Sequence, residues 1–124
     1  MKKTTFWAFL LSLVTLISCN SNEVHLRLAH YNVGVFHKTA ESSIDVIAAM
    51  MKEIEADVVS LNELDSCARR TGFVDQLARM SALMGDWGSH YVSAMPFQGG
   101  AYGVGITYDP SLNLVKKDKV ALPK

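Results

Sequence analysis

ADVVSLNELDS, residues 56–66, is the stretch whose reading decides the fold, because an apolar run ends there in a cluster of polar and acidic side chains. Asp57 to Leu61 has strand length, and its β-branched residues suit a pleated, buried surface. Asn62, Glu63 and Asp65 then stand at the end of that strand. A carboxylate placed there is held by a rigid scaffold and still reaches a solvent cleft, which is what a hard, oxygen-ligated metal site requires. The same residues also describe a strand running into an ordinary polar loop, so the surrounding chain has to decide.

Upstream, residues 41–55 carry Ile44, Ile47, Ala48, Met51 and Ile54 at three- and four-residue steps, which predicts an amphipathic helix over Glu41 to Glu55. Ser42 or Ser43 is placed to cap it, with Asp45 favouring the positive end of its dipole. Met50 and Met51 read as core filler. Before the helix, HLRLAHYNV (residues 25–33) alternates as a strand and is broken by Gly34. If Leu26 and Leu28 face a core, the period of two carries Asn32 to the same side at the strand's far end. There its amide serves either a ligand or a turn before Gly34. Strand, helix and strand with short connections make a βαβ-like passage, its helix packed on one face of a sheet.

Downstream, residues 66–72 form a polar loop with Arg69 and Arg70, a pair that is either solvated or placed to contact a phosphate. Phe73 to Met84 predicts a second amphipathic helix closed by Gly85. Residues 87–97 read as a loop and a strand bearing His90, a candidate substrate contact or a structural histidine. Gln98-Gly99-Gly100 turns the chain into a strand over Ala101 to Tyr108, giving a hairpin. YGVG at 102–105 lacks the GxGxxG spacing and the following helix of a phosphate-cradling loop. A last strand is expected over Leu112 to Leu122, with Lys116, Lys117 and Lys119 on its edge.

The 124 residues carry no formal net charge and are 49% hydrophobic, which bounds the chain to one domain without the basic excess of a nonspecific nucleic-acid binder. Lys2 and Lys3, the apolar stretch Phe6 to Ile17 and the sequence Leu16-Ile17-Ser18-Cys19 have the order of an export leader and not of a folded element. That last tetrapeptide resembles the lipobox of bacterial lipoproteins, which implies cleavage after residue 18, lipidation of Cys19 and anchoring in the bacterial cell envelope. Residues 1–18 are then a signal peptide, 19–25 a tether and 26–124 the domain. Cys67 is left as a single thiol with no evident base beside it.

Taken in order, LRLAHYNVGVF, a helix, EADVVSLNELD, RRTGFVDQLARM, a histidine-bearing strand and GGAYGVGITYDP resemble the amino-terminal half of the endonuclease/exonuclease/phosphatase superfamily. The likeness covers residues 26–122. It implies an α+β fold, a partial four-layer sandwich with a mixed sheet, helices on one face and the second half missing. By the same likeness Asn32 matches the asparagine at the metal and scissile phosphate, and Glu63 the glutamate that binds Mg²⁺ (or Mn²⁺). The implied reaction is metal-assisted hydrolysis of a phosphoester whose type, nucleic acid, phosphoinositide or phospholipid, is left open; no protein partner is implied. The Asp-x-Asn segment and closing Asp-His pair of the family are absent from the sequence, and Val104 and Tyr108-Asp109 depart from its hairpin pattern. The alternative is therefore a non-catalytic lipoprotein fragment that binds a partner or ligand.

Overall fold

Alternation of apolar and polar residues does lay the quoted stretch into a sheet, but further than its apolar run extends. In the computed structural model, which describes residues 23–37 and 42–121, the strands are β1 (Leu28–Asn32), β2 (Val58–Ser66), β3 (Gly88–Phe97) and β4 (Gly100–Tyr108). Two helices, α1 (Ile44–Glu53) and α2 (Gln76–Leu83), complete the fold. The leader, Cys19 and the start of the expected first helix lie outside the described residues. The sheet order is β1-β2-β4-β3, with β1 parallel to β2 and the other pairs antiparallel, so the chain is an α+β fold built on a mixed sheet.

One face of the sheet carries the core. Val59, Leu61 and Leu64 of β2 are fully buried there against Ile47, Ala48 and Met51 of α1 and Leu77 and Met80 of α2. Gly103, Gly105 and Thr107 of β4 share that face. A Cβ on Gly105 would stand 2.7 Å from Leu77 Cδ2 and 2.9 Å from Leu64 Cδ1, so its hydrogen is what lets α2 close onto the sheet. The Thr107 hydroxyl, 2.9 Å from Ser81 Oγ and 3.0 Å from the Gly88 carbonyl, supplies polar partners inside this contact. Each fully buried aliphatic side chain contributes about 1.5–3 kcal/mol, and this layer supplies most of the hydrophobic stabilisation.

The other face is open. Leu28, His30 and Asn32 share it, as their spacing requires, but Leu28 is 68% exposed because, among the described residues, no helix covers that side. The core is reached instead by Ala29 and Tyr31, so the expected inward direction of Leu26 and Leu28 is reversed. Val104 and Ile106 of β4 also face outward and remain 44% and 37% exposed.

Other boundaries shift for local reasons. Ser43 occupies the N-cap of α1, but its hydroxyl donates to the Phe36 carbonyl at 3.2 Å instead of capping the helix. The second helix begins only at Gln76, where Asp75 caps it by accepting from the Ala78 amide at 3.0 Å; Phe73, expected on its packing face, precedes it and is 63% exposed. Gln98 and Gly99, with φ 48° and 87°, join β3 to β4 as a two-residue turn whose positive dihedrals match the sheet twist. The expected last strand does not form among the described residues: residues 112–121 run without strand pairing and largely exposed.

Candidate functional site

Glu63 owes its position to an irregularity in β2. Leu61 pairs with Gly105 and Leu64 with Gly103, so Asn62 and Glu63 together oppose Val104 in a β-bulge. Glu63 takes φ 60° there, in the left-handed region that a non-glycine residue adopts at a cost. The bulge lets both Leu61 and Leu64 stay on the core face while the two polar residues between them are displaced from it.

The half-buried Glu63 side chain lines an open cavity of about 340 Å³, together with Gly34, Val35, Arg70, Met95, Phe97 and Tyr102. This lies where β1 and its parallel pairing with β2 stop, beside the ends of β3 and β4 next to their turn. Among the described residues the Glu63 carboxylate makes no hydrogen bond or ion pair. It acts electrostatically on Arg70, whose charged form it favours.

Arg70 is locked from beneath. Asp65, fully buried, takes its Nε at 2.7 Å on Oδ2 and its Nη2 at 2.8 Å on Oδ1, a two-pronged pairing. Thr71 Oγ1 lies 3.2 Å from the same Oδ2. The guanidinium carbon sits 4.3 Å from the Phe97 ring centroid and 5.5 Å from that of Tyr102. Hydrogen bonding to Asp65 raises the Arg70 pKa further above its ordinary value, against the lowering effect of burial and with added attraction from Asp65, Tyr102 and Glu63. Arg70 is thus a permanent, fixed cation with part of its donor set still directed away from Asp65.

The remaining wall is a tight left-handed turn. Gly34, Val35 and Phe36 have φ of 53°, 49° and 54° in succession. A β-branched residue in that region is strained, and here the strain borders a cavity. Asn32 Oδ1 accepts the Gly34 amide at 3.0 Å and so caps the turn.

The expected site residues are therefore partly gathered. Asn32 ends β1 in register with Asn62, whereas Glu63, expected at a strand end, lies within β2 at its bulge, three residues before Ser66; Asn32 shapes the turn and does not line the cavity. Arg70 lines the cavity; Arg69 is exposed and does not. His90 is not part of this group: it borders a separate cavity of about 400 Å³ with Lys117, Asp118 and Lys119. Seven positions of β3 separate His90 from Phe97, about 23 Å of strand. Its position follows from pairing with Ile106, towards the end of the hairpin remote from its turn.

Two residues hold the site from behind through partners that the sequence does not announce, Asp65 and Gln76. Asp65, grouped with Glu63 at the strand's end by its sequence, is instead completely buried, and the arginine five positions on is the partner such a carboxylate needs. Gln76 reads as an ordinary helix residue. His30, with Nδ1 3.2 Å from Ser60 Oγ and Nε2 3.5 Å from Asn62 Nδ2, lies on the open face beside the bulge.

Comparison of the chain with protein-family profiles, curated proteins and solved structures gave no match. The site must therefore be judged on its chemistry. Among the described residues no group of three or more His, Cys, Asp or Glu side chains is gathered to hold a metal. A hydrated Mg²⁺ or Mn²⁺ asks for less: one or two carboxylates, with water and substrate oxygens completing its shell. The unengaged Glu63 carboxylate in an open cavity fits that requirement.

Proposed function

We propose that the chain belongs to a metal-dependent phosphoester hydrolase of the endonuclease/exonuclease/phosphatase kind, with Glu63 as its cation ligand. The observation that supports this reading best is the half-buried Glu63 carboxylate, held in a strained bulge facing a cavity and left without a protein partner among the described residues. A carboxylate fixed at a strained backbone position and facing a solvent-filled cavity is a candidate to meet a ligand there.

A divalent cation bound at Glu63 would polarise a phosphoryl oxygen and offset developing negative charge. The chain's own contributions are distinct from that. Glu63 would hold the cation, and Arg70 would offer its remaining N–H donors to a phosphate oxygen from a position fixed by Asp65 and Phe97. Because that geometry is set before a ligand arrives, little ordering is needed on binding. Asn32 supports the wall of the cavity through Gly34. Its match to the family's metal-site asparagine is part of the same proposal.

Hydrolysis of bis(4-nitrophenyl) phosphate by the full chain with Mg²⁺ or Mn²⁺, against Glu63→Ala, tests the reading. A loss of at least a hundredfold is expected, and equal rates would remove it. Export and lipid anchoring through Cys19 belong to the same proposal, and membrane release of a Cys19→Ala variant tests them. No helix among the described residues is long and apolar enough to cross a membrane.

The second reading, a non-catalytic binding module, is favoured by one observation. His90 borders a different cavity from Glu63, so it supplies no acid or base there. Tight phosphodiester binding to wild type without turnover would decide for it.

A further inference from the structure

Gln76 is 1% exposed, although it stands in the first turn of a surface helix. Its Oε1 accepts the Asp65 amide hydrogen at 2.8 Å, and its Nε2 donates to the Val35 carbonyl at 2.6 Å. The two bonds fix the amide orientation, because a backbone N–H needs the oxygen and a backbone C=O needs the nitrogen. One side chain of α2 thereby joins two separate walls of the Glu63 cavity. Asp65 holds Arg70 in place; Val35 lines the cavity at the centre of the left-handed turn.

The turn needs such a tie. In the left-handed region the Cβ of a non-glycine residue crowds the backbone, and Val35 and Phe36 are both there. Phe36 is secured by complete burial and by the Ser43 amide on its carbonyl at 2.8 Å, and Gly34 by Asn32. Val35, between them, has its carbonyl held by Gln76 and by His37 Nδ1 at 2.8 Å from within the turn. Of these restraints, the Gln76 bond is the one that refers Val35 to the strand carrying Glu63 and Asp65.

We infer that Gln76 is a positioning residue, which sets the separation of the Val35 turn from the Glu63–Arg70 wall and so the shape of the cavity. The inference rests on the proposed hydrolase reading for its effect on turnover, and on geometry alone for its effect on the turn. Asp65 and Gln76 differ in kind from Glu63: neither reaches into the cavity, and both act through a neighbour.

The test compares the full-length wild type with Gln76→Leu and Gln76→Glu. In Gln76→Glu the ionised carboxylate accepts from the Asp65 amide but has no hydrogen for the Val35 carbonyl, whereas the protonated acid has one. The charged and titratable groups around it, Asp65, Arg70, Asp75 and His37, are unchanged in every variant, and each variant is referred to wild type at the same pH.

Amide exchange at Phe36 and His37 should accelerate at least tenfold in Gln76→Leu while Met84 and Thr107 keep wild-type protection. At pH 8 Gln76→Glu should behave like Gln76→Leu, and at pH 5 it should return towards wild type. Where wild type hydrolyses bis(4-nitrophenyl) phosphate, kcat should fall about tenfold in Gln76→Leu and recover in Gln76→Glu at the lower pH. Unchanged exchange in the turn, uniform acceleration across the core, or a Gln76→Glu defect that ignores pH would each overturn the inference. A wild type without turnover refutes the hydrolase reading, and the exchange profile and its pH reversal then decide the role of Gln76 alone.

Discussion

Removal of the Arg70 side chain leaves Asp65 as a buried carboxylate with only the Thr71 hydroxyl beside it, since both charge-assisted bonds come from the guanidinium. Breaking a fully buried ion pair on one side typically costs about 3–5 kcal/mol. The Arg70 side chain is 38% exposed, so solvent already screens part of the attraction. A loss of about 2–3 kcal/mol is therefore expected for Arg70→Met, which keeps the apolar contact with Phe97. The reverse change, Asp65→Asn, frees a guanidinium that can rehydrate, and about 1–2 kcal/mol is expected. The asymmetry between the two is the informative part: the buried partner, not the exposed one, depends on the pair. Urea unfolding of both single variants and the double variant, followed by circular dichroism, gives the coupling energy. Losses under about 0.5 kcal/mol for both, with additivity in the double variant, would refute a fixed Asp65–Arg70 pair.

Three further expectations follow from packing and charge. Gly103→Ala would drive its new Cβ into the Val92 carbonyl oxygen and spread β3 from β4; a loss above about 2 kcal/mol is expected by chemical denaturation. Met80→Ala empties a completely buried position between α2 and the sheet, so about 2–4 kcal/mol should be lost, and a loss below about 1 kcal/mol would contradict that packing. The Tyr91 hydroxyl is buried without a hydrogen-bond partner among the described residues, and burial, then the charges of Asp65 and Asp75, raise its pKa above the ordinary 10.0. Because the folded pKa lies above the unfolded one, its contribution is complete below pH 10 and is lost as pH climbs through the raised value. Tyr91→Phe should match or exceed wild-type stability at neutral pH and lose less of it in alkali, as thermal unfolding across that range would read.

The legible part of this molecule is the part governed by period. Alternation places β1, the hairpin of β3 and β4 and the start of β2, and three- and four-residue spacing places both helices, because burial on one face imposes those repeats. What the period does not supply is the identity of the covered face. Leu28 and Asn32 share a side as read, yet the helices lie on the other one, where Ala29 and Tyr31 look less apolar than Leu28. The expected last strand fails for a related reason. Alternating Leu112 and Leu114 permit a strand, but a strand also needs a neighbour's backbone, and among the described residues none pairs with residues 112–121.

The site is legible at Glu63 and opaque around it, and the bulge explains both. Read with a strict period of two, Leu61 and Leu64 belong to opposite faces, so the pattern ends the strand at Leu61 and leaves the acidic residues beyond it. One extra residue opposite Val104 returns Leu64 to the core, extends pairing to Ser66 and buries Asp65 where its carboxylate must find a cation. Arg70 answers that need, and Gln76 occupies the Asp65 amide that the strand leaves for it. Hence the sequence NELDS is better parsed as two polar residues displaced by a bulge followed by a buried anchor. The half-buried Glu63 is then available to a ligand because the fully buried Asp65 has already claimed the arginine.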